Sequence, residues 1–189
     1  MASRTPADRR QSVNALPPVP DADGAAIAAF IDATWAESGL ARSSLDSYRR
    51  DLEGFARWRE GRGGGLAGAD RAALFEYLAW RARYSARSNA RLLSSLRAFF
   101  AYRLRRGDRG DDPTALLDPP KLPRSLPKAL AESQIDALLA APDIDSPLGL
   151  RDRAMLELMY ACGLRVSELV GLPATALNLR QGVLRVMGK

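Results

Sequence analysis

The sequence has 189 residues, 28 of them basic and 22 acidic, with no histidine and a single cysteine. That length holds one or two domains with buried cores. The missing histidine excludes His-based acid–base chemistry and His-ligated metals within these residues, and the lone Cys162 excludes an internal disulfide, in keeping with a reducing cytoplasm. No apolar run approaches a membrane span and the N-terminus has no hydrophobic signal core, so the expectation is a soluble cytoplasmic protein with no membrane partner.

The net charge of +6 is uneven: residues 81–109 carry nine arginines against one aspartate. A local field of that kind points to a polyanion, nucleic acid before membrane. The alternative reading of the charge is an arginine-rich solvated face.

Residues 1–23 hold four prolines, scattered charge and little periodicity, and read as a mobile tail. From Gly24 the pattern turns helical. Ile27, Phe30, Ile31, Thr34 and Trp35 fall on one face, and Gly39 stops the helix. Ser43 or Ser44 is placed to cap a second helix with Leu45, Tyr48, Leu52, Phe55 and Trp58 as its apolar stripe. A third runs from about Asp70 to Arg83. Ser85 or Ser88 begins a fourth, with Leu92, Leu93, Leu96, Phe99, Phe100 and Leu104 inward. Four such helices joined by short loops make a small bundle spanning 24–108.

The outer faces carry more information about function. On the second helix Ser44, Ser47 and either Arg50 or Asp51 lie away from the apolar stripe. On the fourth, Arg87, Arg91 and Ser94 or Ser95 share a face. Hydroxyls and guanidiniums at helical spacing suit phosphates and base edges in a major groove. An ordinary solvated face is the competing reading for each residue. Residues 109–128 are rich in proline, with Lys121, Arg124 and Lys128 between, and read as a stiff tether whose cations touch phosphates or simply keep it solvated.

A second domain is expected over 129–189, with Ile135, Leu138 and Leu139 inward on a helix from Glu132 to Ala140. Cys162 is read as a small core residue. An apolar helix then reaches Gly163, suited to a left-handed helix end, and Arg165 opens a short helix where a guanidinium is placed to grip a phosphate, a surface or ion-pair arginine being the competing reading. Leu177 and Leu179 look like one strand and Val183 to Met187, after Gly182, like another. That strand meets the last residue, Lys189, with no strand after it to pair with, as in a fragment of a domain.

The run Gly163-Leu164-Arg165-Val166-Ser167-Glu168-Leu169 resembles the Gly-x-Arg-x-Ser-Glu-Leu box of the tyrosine recombinases, with Cys162 in the preceding threonine slot. The hairpin ending at Lys189, the segments around Ser44–Leu52 and Ala90–Phe100, and the proline-rich passage also resemble that family in order and spacing. The sequence is most similar to its Xer-type, chromosomal members. The resemblance implies a mainly α fold: a four-helix, SAM-like core-binding domain that clamps DNA, followed by the start of a mixed α+β catalytic domain. It implies strand cleavage and rejoining through a phosphotyrosyl intermediate, which conserves phosphodiester energy and needs neither cofactor nor metal. Arg165 then matches a catalytic arginine, and Lys189 the hairpin lysine that protonates the leaving oxygen. Glu168 supports Arg165 from behind or is simply an intradomain ion pair. The implied partners are a double-stranded recombination site, a related recombinase in a heterotetramer and a cell-division DNA translocase; the implied role is resolving chromosome or plasmid multimers.

Two departures qualify this. Ala176 stands where relatives usually carry an acidic residue. The later motif with a second arginine and histidines is absent, and none of Tyr48, Tyr77, Tyr84, Tyr102 or Tyr160 has the nucleophile's context. These 189 residues alone are therefore expected to bind DNA without cutting it. The competing readings are a phage, transposon or integron integrase, a non-catalytic DNA-binding protein, and a helical module that binds an acidic protein.

Overall fold

The computed structural model describes residues 15–121 and 129–186. The chain divides into two units, Met1–Arg124 and Ser125–Lys189.

The first unit is built from four helices: α1 (Asp21–Ser38), α2 (Arg42–Glu60), α3 (Arg71–Trp80) and α4 (Ala86–Arg105). Local chemistry sets three of their ends. Asp70 accepts from the Ala73 amide at 2.9 Å to cap α3, and Ser85 accepts from the Ser88 amide at 3.1 Å to cap α4, each satisfying an otherwise orphaned donor. Gly39 closes α1 at φ +57°, a conformation open to glycine at little cost. The second helix differs from expectation: it starts at Arg42 behind Ala41 with no side-chain cap, so Ser43 and Ser44 sit inside its first turn.

α1 packs on α2 and α4, α2 packs on α4 and α3, and their apolar faces merge in one core. Phe30, Leu52, Phe55, Leu74, Leu92, Leu96, Phe99 and Phe100 are all buried. Phe30 meets Phe99 edge-on with ring centroids 5.5 Å apart, and Phe55 meets Tyr77 at 4.9 Å. Such pairs add about 0.5–1.5 kcal/mol beyond burial. Two residues expected inward are exposed, Trp35 at 65% and Leu104 at 41%. At 100° per residue, Trp35 is turned about 80° from Ile27, and Leu104 about 120° from Leu92, which carries both off the buried stripe.

Residues on either side of the helices are also held. Leu16 and Val19 pack against the core, and the Arg57 guanidinium donates to the Pro17 and Leu16 carbonyls at 2.7 Å each. Asp23 is buried, and its carboxylate accepts from the Leu66 amide. The end of the stretch read as a tail is thus anchored, because α1 starts three residues earlier than expected. Likewise Leu117 is buried in the core, Arg97 donates to its carbonyl, and Arg109 donates to the carbonyls of Ala67 and Ala69. The proline-rich passage leaves the helical unit only after that point.

Tyr77 lies at the centre of this packing, and burial pushes its phenol up to about 12, partly opposed by Arg81. Gly54 on α2 makes room for it: a Cβ there would stand 3.2 Å from the Tyr77 hydroxyl. The folded value lies above the ordinary value of 10, so the neutral phenol stabilises the fold fully below pH 10 and that contribution is lost as pH rises towards 12. The expected loss is about 2–3 kcal/mol. Circular dichroism across that window should show it, and Tyr77→Phe should remove most of it; an unchanged profile in Tyr77→Phe contradicts the assignment.

The second unit holds α5 (Glu132–Ala140), α6 (Pro147–Cys162), α7 (Val166–Val170), a 3₁₀ turn (Ala174–Ala176) and a hairpin of β1 (Leu177–Asn178) with β2 (Val183–Leu184). The strands are antiparallel, Leu177 opposite Leu184, around Gly182 at φ +63°. The second strand is shorter than expected, and Leu179 falls in the turn at 84% exposure. Leu164 is the one buried hydrophobic residue of this unit among the described residues. Ile135 and Leu139 are half-buried, Leu138 is exposed, and Cys162 is exposed rather than in a core. α5 packs on α6, but Leu138, Leu148, Leu150 and Tyr160 stay exposed.

Candidate nucleic-acid interface

The apolar stripe of α2 faces the core and turns Ser44, Ser47 and Arg50 outward; Arg50 is exposed, the serines half-buried. The stripe of α4 does the same for Arg87, Arg91 and Ser94, all exposed. Packing of α2 on α4 brings the two sets together. Arg91 spans the groove: one Nη donates to Asp51 Oδ1 at 2.9 Å and the other reaches the Ser47 carbonyl at 3.5 Å. Arg50 donates to the Asp46 carbonyl at 3.1 Å and to Ser47 Oγ at 3.4 Å. Ser47 and Ser94 donate to the carbonyls four residues back, at 2.8 and 3.1 Å, which leaves their oxygens able to accept, Ser47 Oγ already doing so from Arg50. Arg87 has no hydrogen bond or ion pair among the described residues.

The arginine-rich stretch is less free than its composition implies. Arg103 and Arg106 pair with Asp108, Arg105 with Glu37 and Arg109 with Asp111. Near the start of α4, Arg87 is exposed and its side chain has no such partner among the described residues. Lys121 is exposed; Arg124, Lys128 and Lys189 lie outside the described residues.

Sequence reasoning placed Asp51 and Ser95 among the outward choices, and both are buried. Ser95 donates to Asp51 Oδ2 at 2.9 Å, so the carboxylate is satisfied on both oxygens. Burial raises the Asp51 pKa, opposed first by Arg91, then by the Ser95 hydrogen bond, Arg81 and Arg50. The group lies in a cleft of about 300 Å³ lined also by Tyr77, Trp80 and Arg81. Arg81 is held over the Tyr84 ring at 4.1 Å and donates to Asn89 Oδ1 at 3.3 Å. Asp51 and Ser95 are 44 residues apart, and no local pattern announces such a pair.

In the second unit α6 ends at Gly163, φ +62°, and buried Leu164 pins the corner. Arg165 is extended and caps α7. Glu168 accepts from the Arg165 amide at 2.8 Å and from its guanidinium at 2.7 Å. Those two hydrogen bonds lower the Glu168 pKa. The Arg165 side chain stays 70% exposed, so its remaining N–H donors face outward. The geometry is a cation fixed at its base by one carboxylate and open to an oxyanion on the other side.

Known proteins resemble the chain along its length. Residues 27–107 match "Phage integrase, N-terminal SAM-like domain" and residues 128–189 match "Phage integrase family". The chain belongs to the phage-integrase family of tyrosine recombinases. Within it, the chain is 72% identical to the tyrosine recombinase XerD of Xanthomonas campestris pv. campestris, a match covering 100% of the chain and 59% of that relative. It is 56% identical to XerD of Pseudomonas aeruginosa over 85% of the chain and 54% of that relative. The chain thus spans little more than half the length of these relatives. Among solved structures it is similar to an integrase from mycobacterium phage Brujita, 25% identical with a TM-score of 0.49, covering 86% of this chain and 54% of that one. Among the described residues no helix is long and apolar enough to cross a membrane.

Proposed function

We propose that the protein is a Xer-type site-specific recombinase, and that these residues supply its DNA clamp and the first catalytic corner. The observation that carries this is the 72% identity to a XerD running through the whole chain, including the box in which Glu168 holds Arg165. The α2–α4 face grips a duplex recombination site: Arg50, Arg87 and Arg91 meet phosphates, Ser44, Ser47 and Ser94 face the groove, and Lys121, Arg124 and Lys128 follow the backbone along the tether.

At the scissile phosphate, a tyrosine hydroxyl gives up its proton to water as its oxygen bonds to phosphorus, and the bond to the 5′ oxygen breaks. Arg165 neutralises charge on the non-bridging oxygens, and Lys189 gives the leaving oxygen its proton. Rejoining runs the same steps backwards with a new strand's 5′ hydroxyl. None of the five tyrosines present matches the nucleophile's motif, so the tyrosine comes from outside this sequence. The product is a resolved chromosome or plasmid multimer, made in the cytoplasm with a related recombinase in a heterotetramer, and with a cell-division translocase as an accessory partner. Disrupting the gene should leave plasmid dimers that carry the host's recombination site unresolved, and restoring it should resolve them. Dimers that still resolve at the normal rate would contradict the reading.

A further inference from the structure

We infer that Asp51 is a positioning residue for DNA binding, acting through Arg91; the inference rests on the interface reading above. A carboxylate beside a face that meets phosphates repels its ligand, so on Coulombic grounds its removal should strengthen binding. The structure gives this carboxylate a different task. It is 5% exposed, while the arginine that it holds is 47% exposed. Oδ1 takes the Arg91 Nη2 at 2.9 Å and Oδ2 takes the Ser95 hydroxyl at 2.9 Å. Ser95 is fully buried, so the carboxylate cannot swing away from the guanidinium without losing a buried partner. The acceptor is on α2 and the arginine on α4, which makes the pair a clasp across the two helices that form the face. Together with the 3.5 Å contact of Nη1 to the Ser47 carbonyl it fixes the guanidinium in place, and each Nη keeps a second N–H for a ligand.

An unclasped arginine would sample many rotamers and lose that entropy on each binding event. Preorganisation is therefore worth more than the local repulsion costs, because the carboxylate's charge is already compensated by Arg91 at contact distance. Arg50 and Arg81 also bear on Asp51 and reduce its reach towards phosphates further.

The test is a double-mutant cycle on the full chain, measured by fluorescence anisotropy with a labelled 30-base-pair duplex. Asp51→Ala is expected to weaken binding by about five- to tenfold although it makes the protein more positive. In an Arg91→Ala background the same change should alter affinity by no more than about twofold. Asp51→Asn, which keeps the side-chain volume, should show the same sign at smaller size. Tighter binding by either variant, or an equal loss in both backgrounds, overturns the inference, the latter by showing a role in the fold alone. If Arg91→Ala by itself leaves affinity unchanged, the interface reading fails and this inference fails with it. If Arg91→Ala weakens binding and the Asp51 loss adds to it in full, the inference alone fails.

Discussion

Arg165→Ala is expected to slow resolution of plasmid dimers by about 10²–10³-fold while leaving duplex affinity within about twofold of the parent. The first number is the usual loss when one preorganised donor is removed from a developing oxyanion. The geometry explains why this donor is preorganised: Gly163 turns the chain, Leu164 anchors the turn, and Glu168 holds both the Arg165 amide and its guanidinium. A lysine should not substitute, since it lacks the planar fork that serves a carboxylate on one edge and a phosphate on the other. Affinity should hardly change because the cations proposed to grip the duplex, Arg50, Arg87 and Arg91, belong to the other unit. Normal resolution by Arg165→Ala would remove the chemistry from the account and leave only binding.

Phe99→Ala should destabilise the helical unit by about 3–5 kcal/mol. Its ring is fully buried, lies edge-on to Phe30 at 5.5 Å and to Phe100 at 5.4 Å, and joins α4 to α1. Losing a whole buried ring and both edge-on contacts puts the loss at the upper end of large-to-small changes. Duplex binding should fail with the melt, since that core holds α2 and α4 in register. Leu138→Ala on α5 should change stability by no more than about 0.5 kcal/mol, because Leu138 is 48% exposed. A Phe99→Ala cost below about 1 kcal/mol would mean that the core is not packed as described.

Features set by local chemistry were legible in the sequence. Ser85 starts a helix, Gly39 and Gly163 end helices, and Gly182 turns the hairpin, each through a bond or dihedral within a few residues. The periodic apolar residues along α2 and α4 identified the buried stripe, and with it the outward Ser44, Ser47, Arg87 and Arg91, but left Arg50 against Asp51 and Ser94 against Ser95 open. Features that depend on accumulated angle or on distant partners were not legible. Trp35 and Leu104 drifted off their stripes over two and three turns. Asp51 and Ser95 passed for surface residues because their partnership joins two helices. Arg103, Arg105, Arg106 and Arg109 looked like free charge until their carboxylate partners were placed. In the second unit, the inward face of α5 was assigned from the spacing of Ile135, Leu138 and Leu139, which says that a face wants cover but not whether cover is present.

The most direct test of the account is the salt dependence of duplex binding, measured by anisotropy on the chain and on Arg87→Ala. Arg87 is chosen because it is exposed and makes no hydrogen bond or ion pair among the described residues, so its removal disturbs nothing else in the fold. Several phosphate contacts predict that log affinity falls steeply with log salt, with a slope of about −3 to −5. Arg87→Ala should weaken binding at every salt concentration and make the slope shallower by about 1. A flat salt dependence, or a slope that Arg87→Ala leaves unchanged, would contradict the claim that the α2–α4 face meets the DNA backbone.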